Sequence, residues 1–230
     1  MALAGNAELA AFAPEPVTGE DVRRWTGEAI ARADRLLDTL AQRDAVREAD
    51  KPFVDRLLAQ RDALHDRLGA LLPTDIGGLN IRLHGDFRLE QMVIVKDDIF
   101  IIGFEGEPAV PLAERRRKAP AARDIAAMVR SIDYSVAAAL DRALKVAPDE
   151  QGKLAAALSQ WRDRATATLL ASYRETMTNA RLWPADLHAT KAMVNFFSLE
   201  KAIREIEYEL ANRPEWLRLP LVGLLRLLES

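Results

Sequence analysis

The sequence predicts a mainly α-helical fold of the α+β class, in which helices pack around one small sheet. Over most of the chain, apolar residues recur every three to four positions, which is the spacing of amphipathic helices. Near the middle, two β-branched runs flank a turn-forming segment, which favours a β-hairpin. With 230 residues, 49% of them hydrophobic, the chain can bury a substantial core. We therefore expect a single domain over residues 17–230, after a loose segment over residues 1–16.

Two antiparallel helices are predicted over residues 17–72. Thr18 is followed three residues later by Asp21, which is the pattern of a helix N-cap with an acidic N3 residue. This helix is expected to run to about residue 47. Asp50 and Pro52 then give a second helix start, and the apolar stripe continues to about residue 72.

The strands are predicted over residues 81–104. Gly77 and Gly78 interrupt the helical pattern, and residues 81–84 follow as a short strand. The hairpin strands are predicted at residues 92–95 and 99–102. Because both runs are almost continuously apolar, we expect this hairpin to be buried on both faces under helices.

The rest of the chain, residues 120–230, is predicted to form a helical bundle. Helices are expected over residues 123–145, 154–177 and 185–210, and again after Trp216. Pro220 should interrupt the last of these. The leucine-rich tail is expected to dock on the domain, with a partner chain as the alternative.

Charge and composition narrow the classes of function. The 32 basic and 35 acidic residues are mixed along the chain, so no basic face for nucleic acid is expected. The chain has no cysteine, which excludes disulfides and thiolate chemistry and fits a reducing cytosol. No segment approaches the roughly 18 apolar residues of a membrane span, and the start lacks the features of a signal peptide. These observations predict a cytoplasmic protein with no nucleic-acid or membrane partner.

The segment from His84 to Pro108 contains the candidate chemistry. It comprises an HGD tripeptide, Gln91 five residues after Asp86, the predicted hairpin and an FEGEP run. Phosphoryl transfer to a sugar hydroxyl needs a carboxylate that orients or deprotonates the acceptor, together with metal ligands that hold the phosphates. Asp86 follows a strand and a glycine, where the backbone can approach a substrate closely. Gln91 could reach a metal from the other side of that loop.

Several motifs together resemble the C-terminal lobe of bacterial maltokinases, relatives of the aminoglycoside phosphotransferases, including those fused behind trehalose synthase. These motifs are HGDFRLEQ, FEGEPAVPLAERR, RDIAAMVRSIDYS and FFSLEKAIREIEYELANRPEW. The resemblance runs from about residue 14 to the end and implies a helical kinase-like C-lobe without its N-lobe. It also implies transfer of the ATP γ-phosphate to maltose with Mg²⁺, and the missing N-lobe or a trehalose synthase domain as a partner.

Carried over residue by residue, the resemblance makes Asp86 the catalytic base, with His84 beside it in the catalytic loop. Gln91 and Glu105 would be the metal ligands. The substrate-binding residues would be Glu105, Glu107, Arg123, Asp133, Tyr134, Lys201 and Tyr208.

Two alternatives stay open for these residues. His84 could be a satisfied, buried histidine without a catalytic role. The acidic residues of the segment could be neutralised by Arg82 and Arg88 in place of a metal ion; these acidic residues are Asp86, Glu90, Glu105 and Glu107.

Three positions depart from the family pattern. Arg88 stands where the family has His, Glu90 where it has Gly, and Gly103 where it has the metal-binding Asp. Loss of that carboxylate should weaken Mg²⁺ binding, so activity is expected to be impaired or absent unless Glu105 fills the vacancy. The alternative from another class is a non-enzymatic scaffold or binding domain, natural or engineered, derived from this lobe.

Overall fold

The computed structural model describes residues 9–42, 46–108, 110–177 and 182–229. The helices are α1 (Gly19–Gln42), α2 (Lys51–Ala59), α3 (Arg61–Ala70), α4 (Leu112–Arg115), α5 (Ala122–Val146), α6 (Gln151–Met177), α7 (Leu187–Asn212) and α8 (Arg218–Glu229). The strands are β1 (Glu15–Pro16), β2 (Leu79–Ile81), β3 (Met92–Val95), β4 (Asp98–Ile101) and β5 (Ala119–Pro120). The predicted fold class, mainly α-helical with a small sheet, is confirmed.

The start of α1 is the predicted N-cap. The backbone N–H of Asp21 donates to Thr18 Oγ1 at 3.2 Å, and the backbone N–H of Thr18 donates to Asp21 Oδ2 at 3.0 Å. Each group satisfies a donor that the first helical turn leaves without an intrahelical partner.

Two helix predictions were wrong in detail. The second predicted helix is divided into α2 and α3 at Gln60, whose φ of -102° and ψ of 17° leave the helical region. Pro220 does not interrupt the last helix, because it lies in the first turn of α8. A proline in that turn removes an N–H that would have no intrahelical acceptor anyway.

A three-stranded antiparallel sheet leads into the candidate loop. The strand order is β1-β2-β5, with Glu15 opposite Asn80 and Ile81 opposite Ala119. One end of this sheet belongs to an apolar cluster that includes Leu83, Met177 and Leu182. The cluster fixes the chain just before His84, where β2 gives way to the loop.

The hairpin of β3 and β4 is a separate two-stranded sheet. Met92 pairs with Ile101 and Val95 with Asp98, and Lys96 takes a φ of 57° in the turn. The prediction that this hairpin is buried on both faces was wrong, because every residue of β4 is exposed and β3 is exposed beyond Met92. A continuous apolar run predicts a strand that other elements bury on both faces, and the described residues do not bury these two strands.

The chain divides into two compact units. The first contains the described residues up to Val17 together with Gly77–Thr190, and the second contains Thr18–Ile76 with the residues from Lys191 onwards. The predicted single domain over residues 17–230 is therefore distributed over both units.

In the second unit the apolar tail packs as predicted. Leu217, Leu221 and Leu224 are all fully buried. None of the helices in the described ranges has the length and apolarity needed to cross a membrane.

Candidate functional site

The backbone of the candidate catalytic loop is fixed by Asp124, in the first turn of α5. Its Oδ2 accepts the His84 N–H at 2.8 Å, and its Oδ1 accepts the Gly85 N–H at 3.0 Å. Burial raises the pKa of Asp124, and the hydrogen bonds from the two backbone N–H groups oppose that rise without cancelling it. Asp124 is not among the residues predicted for the site from the sequence. The available signal was an acidic residue in the first turn of the predicted helix over residues 123–145.

His84 joins the loop to the hairpin. Its ring Nε2 lies 2.7 Å from the Ile102 carbonyl oxygen, and its Nδ1 lies 3.2 Å from the Asp86 backbone nitrogen. A neutral ring protonated on Nε2 satisfies both contacts, since a carbonyl accepts and an N–H donates. The ring is 4% exposed and packs against Phe104, with 4.9 Å between ring centroids. This geometry fits a buried histidine that positions the loop.

Asp86 is the carboxylate that the loop presents, and it is 5% exposed. Its Oδ2 accepts hydrogen bonds from Arg88 Nε at 3.2 Å and from Gln91 Nε2 at 3.0 Å. Arg88 also pairs with Glu90, with 2.6 Å between NH1 and Oε2. The neutralisation by Arg88 that the sequence left open is therefore present for Asp86 and Glu90.

The side chain of Gln91 fills the space beside the Cα of Gly103. Gly103 has a φ of +78°, and a Cβ added there would lie 2.3 Å from Gln91 Oε1 and 2.7 Å from Gln91 Cδ. The Gln91 backbone carbonyl accepts the Ile102 N–H at 2.9 Å, which holds the glutamine beside the hairpin. The Gln91 amide thus fills the position where a side chain at residue 103 would begin.

This arrangement does not fit Mg²⁺. The ion requires several oxygen ligands in near-octahedral geometry. The Asp86 Oδ2 already receives two N–H donors, and Gln91 turns its NH₂ group towards that oxygen. Over the described ranges, no group of three or more His, Asp or Glu residues is placed to hold a metal ion.

The other predicted residues of the first unit take different positions. The Glu105 carbonyl oxygen accepts Arg115 NH1 at 3.1 Å, so its backbone is held in the turn after the hairpin. Asp133 is buried and pairs with Arg130, with 2.5 Å between Oδ2 and NH1. Arg162 NH1 also lies 3.9 Å from Asp133 Oδ1, which completes a buried ionic group.

Helix α5 also holds the loop through Ser131, a residue that the sequence did not suggest. Ser131 Oγ accepts the Leu89 N–H at 3.0 Å and so ties α5 to the loop.

The remaining predicted site residues lie on two helices. Arg123 and Tyr134 lie on α5. Lys201 and Tyr208 lie on the part of α7 that belongs to the second unit, where the Arg213 guanidinium stacks 5.3 Å from the Tyr208 ring centroid.

Comparison with known proteins finds curated relatives and solved structures that are similar to this chain, and no family model matches it. The chain is 27% identical over 224 residues to the glucosamine kinase of Streptacidiphilus jiangxiensis, a match that covers 97% of this chain and 46% of that protein. It is 26% identical over 222 residues to the glucosamine kinase of Mycolicibacterium smegmatis (strain ATCC 700084 / mc(2)155), covering 94% and 49% respectively. The chain therefore spans about half the length of the curated relatives it matches.

Solved structures of glucosamine kinases have a similar fold. A glucosamine kinase in complex with glucosamine, ADP and inorganic phosphate superposes with a TM-score of 0.73 at 22% identity, covering 94% of this chain and 50% of that one. A crystal form of glucosamine kinase (form B) gives 0.71 at 24% identity, covering 94% and 48%. The fold is that of one half of a glucosamine kinase.

These comparisons correct the resemblance drawn from the motifs. The relatives and structural neighbours are glucosamine kinases, so the assignment to maltokinases was wrong. Maltose as substrate and a trehalose synthase domain as partner lose their support with it.

Proposed function

We propose that this chain is the acceptor-binding half of an ATP-dependent kinase that phosphorylates glucosamine or a closely similar amino sugar. Two curated relatives named glucosamine kinase support the proposal, and so does the solved relative that contains glucosamine, ADP and phosphate. The observation on which it depends most is the Asp86 carboxylate, presented by a loop whose backbone is fixed by Asp124. The cytoplasm, where ATP is available, stays the predicted location.

In the proposed reaction Asp86 acts as the general base. A sugar hydroxyl approaches Asp86 and gives its proton to the carboxylate, while the hydroxyl oxygen forms a bond to the γ-phosphorus of ATP. The bond from that phosphorus to the bridging oxygen breaks, and ADP leaves. Positioned proton acceptors of this kind contribute about 10²- to 10⁴-fold to the rate.

The approaching hydroxyl competes with Arg88 for one oxygen of Asp86, since Arg88 Nε donates to Asp86 Oδ2 at 3.2 Å. The Arg88–Glu90 pair is exposed on both sides and contributes only about 0–1 kcal/mol. Asp86 itself is 5% exposed, so a hydroxyl that takes the place of Arg88 must replace its hydrogen bond to the carboxylate. Beside the reaction centre, the Arg88 guanidinium is a cation that can face the transferred phosphate.

The acidic side chains of the segment suit an amino sugar. Glucosamine has an ammonium group, which carboxylates recognise through charge-assisted hydrogen bonds. Glu105 and Glu107 follow the hairpin directly and are the proposed partners of that group. Arg123, on the helix that begins beside the loop, is proposed for the sugar hydroxyls. Lys201 and Tyr208, which lie in the second unit, remain sequence-based predictions of sugar-binding residues.

Calorimetric titration of the full chain with glucosamine tests the proposal. We expect a Kd of about 1 mM or below, which corresponds to about -4 kcal/mol, and no heat with maltose. Asp86→Ala should weaken glucosamine binding, whereas Asp141→Asn, on an exposed part of α5, should not. Absence of glucosamine binding at tenfold higher concentration, with the protein folded by circular dichroism, would reject the substrate assignment.

A further inference from the structure

Arg115, the last residue of α4, packs against the backbone of the candidate site. Its NH1 donates to the Glu105 carbonyl oxygen at 3.1 Å. A Cβ added at Gly106 would lie 3.4 Å from Arg115 Cδ and 3.6 Å from the His84 carbonyl oxygen, so both groups approach the same point. Gly106 in turn packs on Gly85, since a Cβ added at Gly85 would lie 3.4 Å from the Gly106 Cα. One glycine therefore separates the Arg115 stem from the loop that presents the proposed general base.

The guanidinium of Arg115 has little compensation from the described part of the chain. Its Nε is buried without a hydrogen-bond partner, and no described carboxylate forms an ion pair with it. A guanidinium is always charged and has five N–H donors, so the bond to Glu105 leaves most of this capacity unused. A buried donor without an acceptor costs about 1–3 kcal/mol, and native structures keep few of them. A bound anion would supply the missing acceptors and balance the charge.

The contrast with Arg88 shows that Arg115 is available to a ligand. Arg88 already pairs with Asp86 and Glu90. Arg115 has no such partner among the described residues, and the residue is only partly buried, so a ligand can reach the outer edge of its guanidinium. An anion can therefore engage Arg115 without first breaking an ion pair.

Phosphate is the anion that the proposed reaction brings to this place. A guanidinium binds phosphate through two parallel, charge-assisted hydrogen bonds. We propose that Arg115 binds a phosphate group at the edge of the Asp86 loop, either the phosphate transferred to the sugar or a phosphate of the nucleotide. The inference rests on the proposed function for the source of the phosphate, and its first test does not require glucosamine.

Calorimetric titration of the full chain with inorganic phosphate, at an ionic strength held constant with sodium chloride, is the first test. Arg115→Ala should weaken phosphate binding at least about tenfold. The matched control is Arg116→Ala, which removes the same charge from the next, exposed residue and should change the affinity less than about twofold. Equal losses in the two variants would indicate diffuse attraction to the basic run and overturn the proposal. Absence of phosphate binding up to about 100 mM would overturn it as well.

A second test separates ligand binding from local structure, because Arg115→Ala also removes the contact with the Glu105 carbonyl. Arg115→Lys retains the charge and the aliphatic stem but lacks the planar fork, so it should weaken phosphate binding at least about threefold. The Arg115 Nε–H signal in nitrogen–proton spectra, identified by its absence from the lysine variant, should shift as phosphate is added. The shift should saturate together with the calorimetric heat. A signal that phosphate does not move would mean that Arg115 only holds the turn.

Titrations with glucosamine 6-phosphate and with ATP identify the source of the phosphate. If Arg115→Ala weakens binding of the sugar phosphate, the site holds the transferred group; if it weakens binding of ATP, the site holds a nucleotide phosphate. Unchanged affinity for both compounds would overturn the proposal. Failure of the substrate assignment is distinguishable, because phosphate binding through Arg115 in a chain that does not bind glucosamine would reject the sugar and retain the phosphate site.

Discussion

Replacing Gly103 by alanine should destabilise the protein through two separate effects. The first is conformational, because the φ of +78° at this position costs a residue with a Cβ about 1–2 kcal/mol. The second is steric, because the new Cβ would lie 2.3 Å from Gln91 Oε1. Gln91 must then move and lose its hydrogen bond to Asp86, which is worth about 1.5–3 kcal/mol since the acceptor is charged. The free energy of unfolding should fall by about 2.5–5 kcal/mol in all.

Urea unfolding followed by circular dichroism measures this loss, with the slope of the transition checked for constancy. The matched control is Gly152→Ala in α6, in the same unit, where a Cβ would meet nothing within 4 Å. That substitution lowers the entropy of the unfolded chain without strain, so it should leave stability unchanged or raise it by up to about 1 kcal/mol.

A double-mutant cycle separates the two effects. In a protein that already carries Gln91→Ala, the steric conflict is absent. There Gly103→Ala should cost only the conformational contribution of about 1–2 kcal/mol. The two substitutions should therefore be less harmful together than the sum of their separate effects. Strict additivity, or a loss below about 0.5 kcal/mol for Gly103→Ala, would refute the contact between Gln91 and residue 103.

The same reasoning applies to Gly103→Asp, which introduces the carboxylate that a metal site would use. We expect this variant to lose stability as the alanine variant does and to gain no Mg²⁺ affinity by calorimetry, because the Gln91 amide fills the position. An increase in Mg²⁺ affinity would show that the amide yields to a metal ion.

The remaining predictions concern two carboxylates. Asp124→Asn should lower the free energy of unfolding by about 1–3 kcal/mol in urea unfolding. The His84 and Gly85 N–H groups donate to different oxygens of Asp124, and asparagine has only one side-chain oxygen, so one donor would lose its acceptor. Since burial raises the pKa of Asp124, the folded protein binds the carboxyl proton of Asp124 more tightly than the unfolded chain does. The contribution of Asp124 to stability should therefore grow as pH falls through its pKa in the folded protein. Asp124→Asn should abolish this dependence of stability on pH. Thr18→Ala should cost about 1 kcal/mol through the lost N-cap. Burial alone would raise the pKa of Asp21, but hydrogen bonds from Thr18 and Arg24 outweigh burial and lower that pKa. The contribution of Asp21 to stability should therefore be present above the ordinary aspartate pKa and lost as pH falls through the lowered pKa. Acid titration of unfolding would detect this loss.

Local patterns predicted most of the helices. The positions of α5, α6 and α7 follow from apolar periodicity, and the start of α1 follows from the cap at Thr18. These signals are local in the chain, so one sequence suffices to find them. The break at Gln60 has no glycine or proline to announce it, so apolar periodicity does not locate it.

The candidate site was only partly predictable, for a related reason. Asp86 and Gln91 belong to one short motif, whereas the acceptor that holds their loop, Asp124, lies 40 residues from His84. Such a contact depends on tertiary structure. The hairpin shows the same limit, since the apolarity of β3 and β4 indicates that cover is needed without indicating which body provides it.

Residues 88, 91 and 103 together determine how the charge of Asp86 is balanced. An aspartate at position 103 would place a second carboxylate near Asp86, and each negative charge would disfavour ionisation of the other. Gly103 carries no charge, and Arg88 donates a hydrogen bond from a cationic group to Asp86. The space beside Gly103 is filled by the Gln91 amide, which also donates to Asp86. The loop therefore satisfies its buried carboxylate with its own side chains, and a hydroxyl that approaches Asp86 Oδ2 must compete with Arg88.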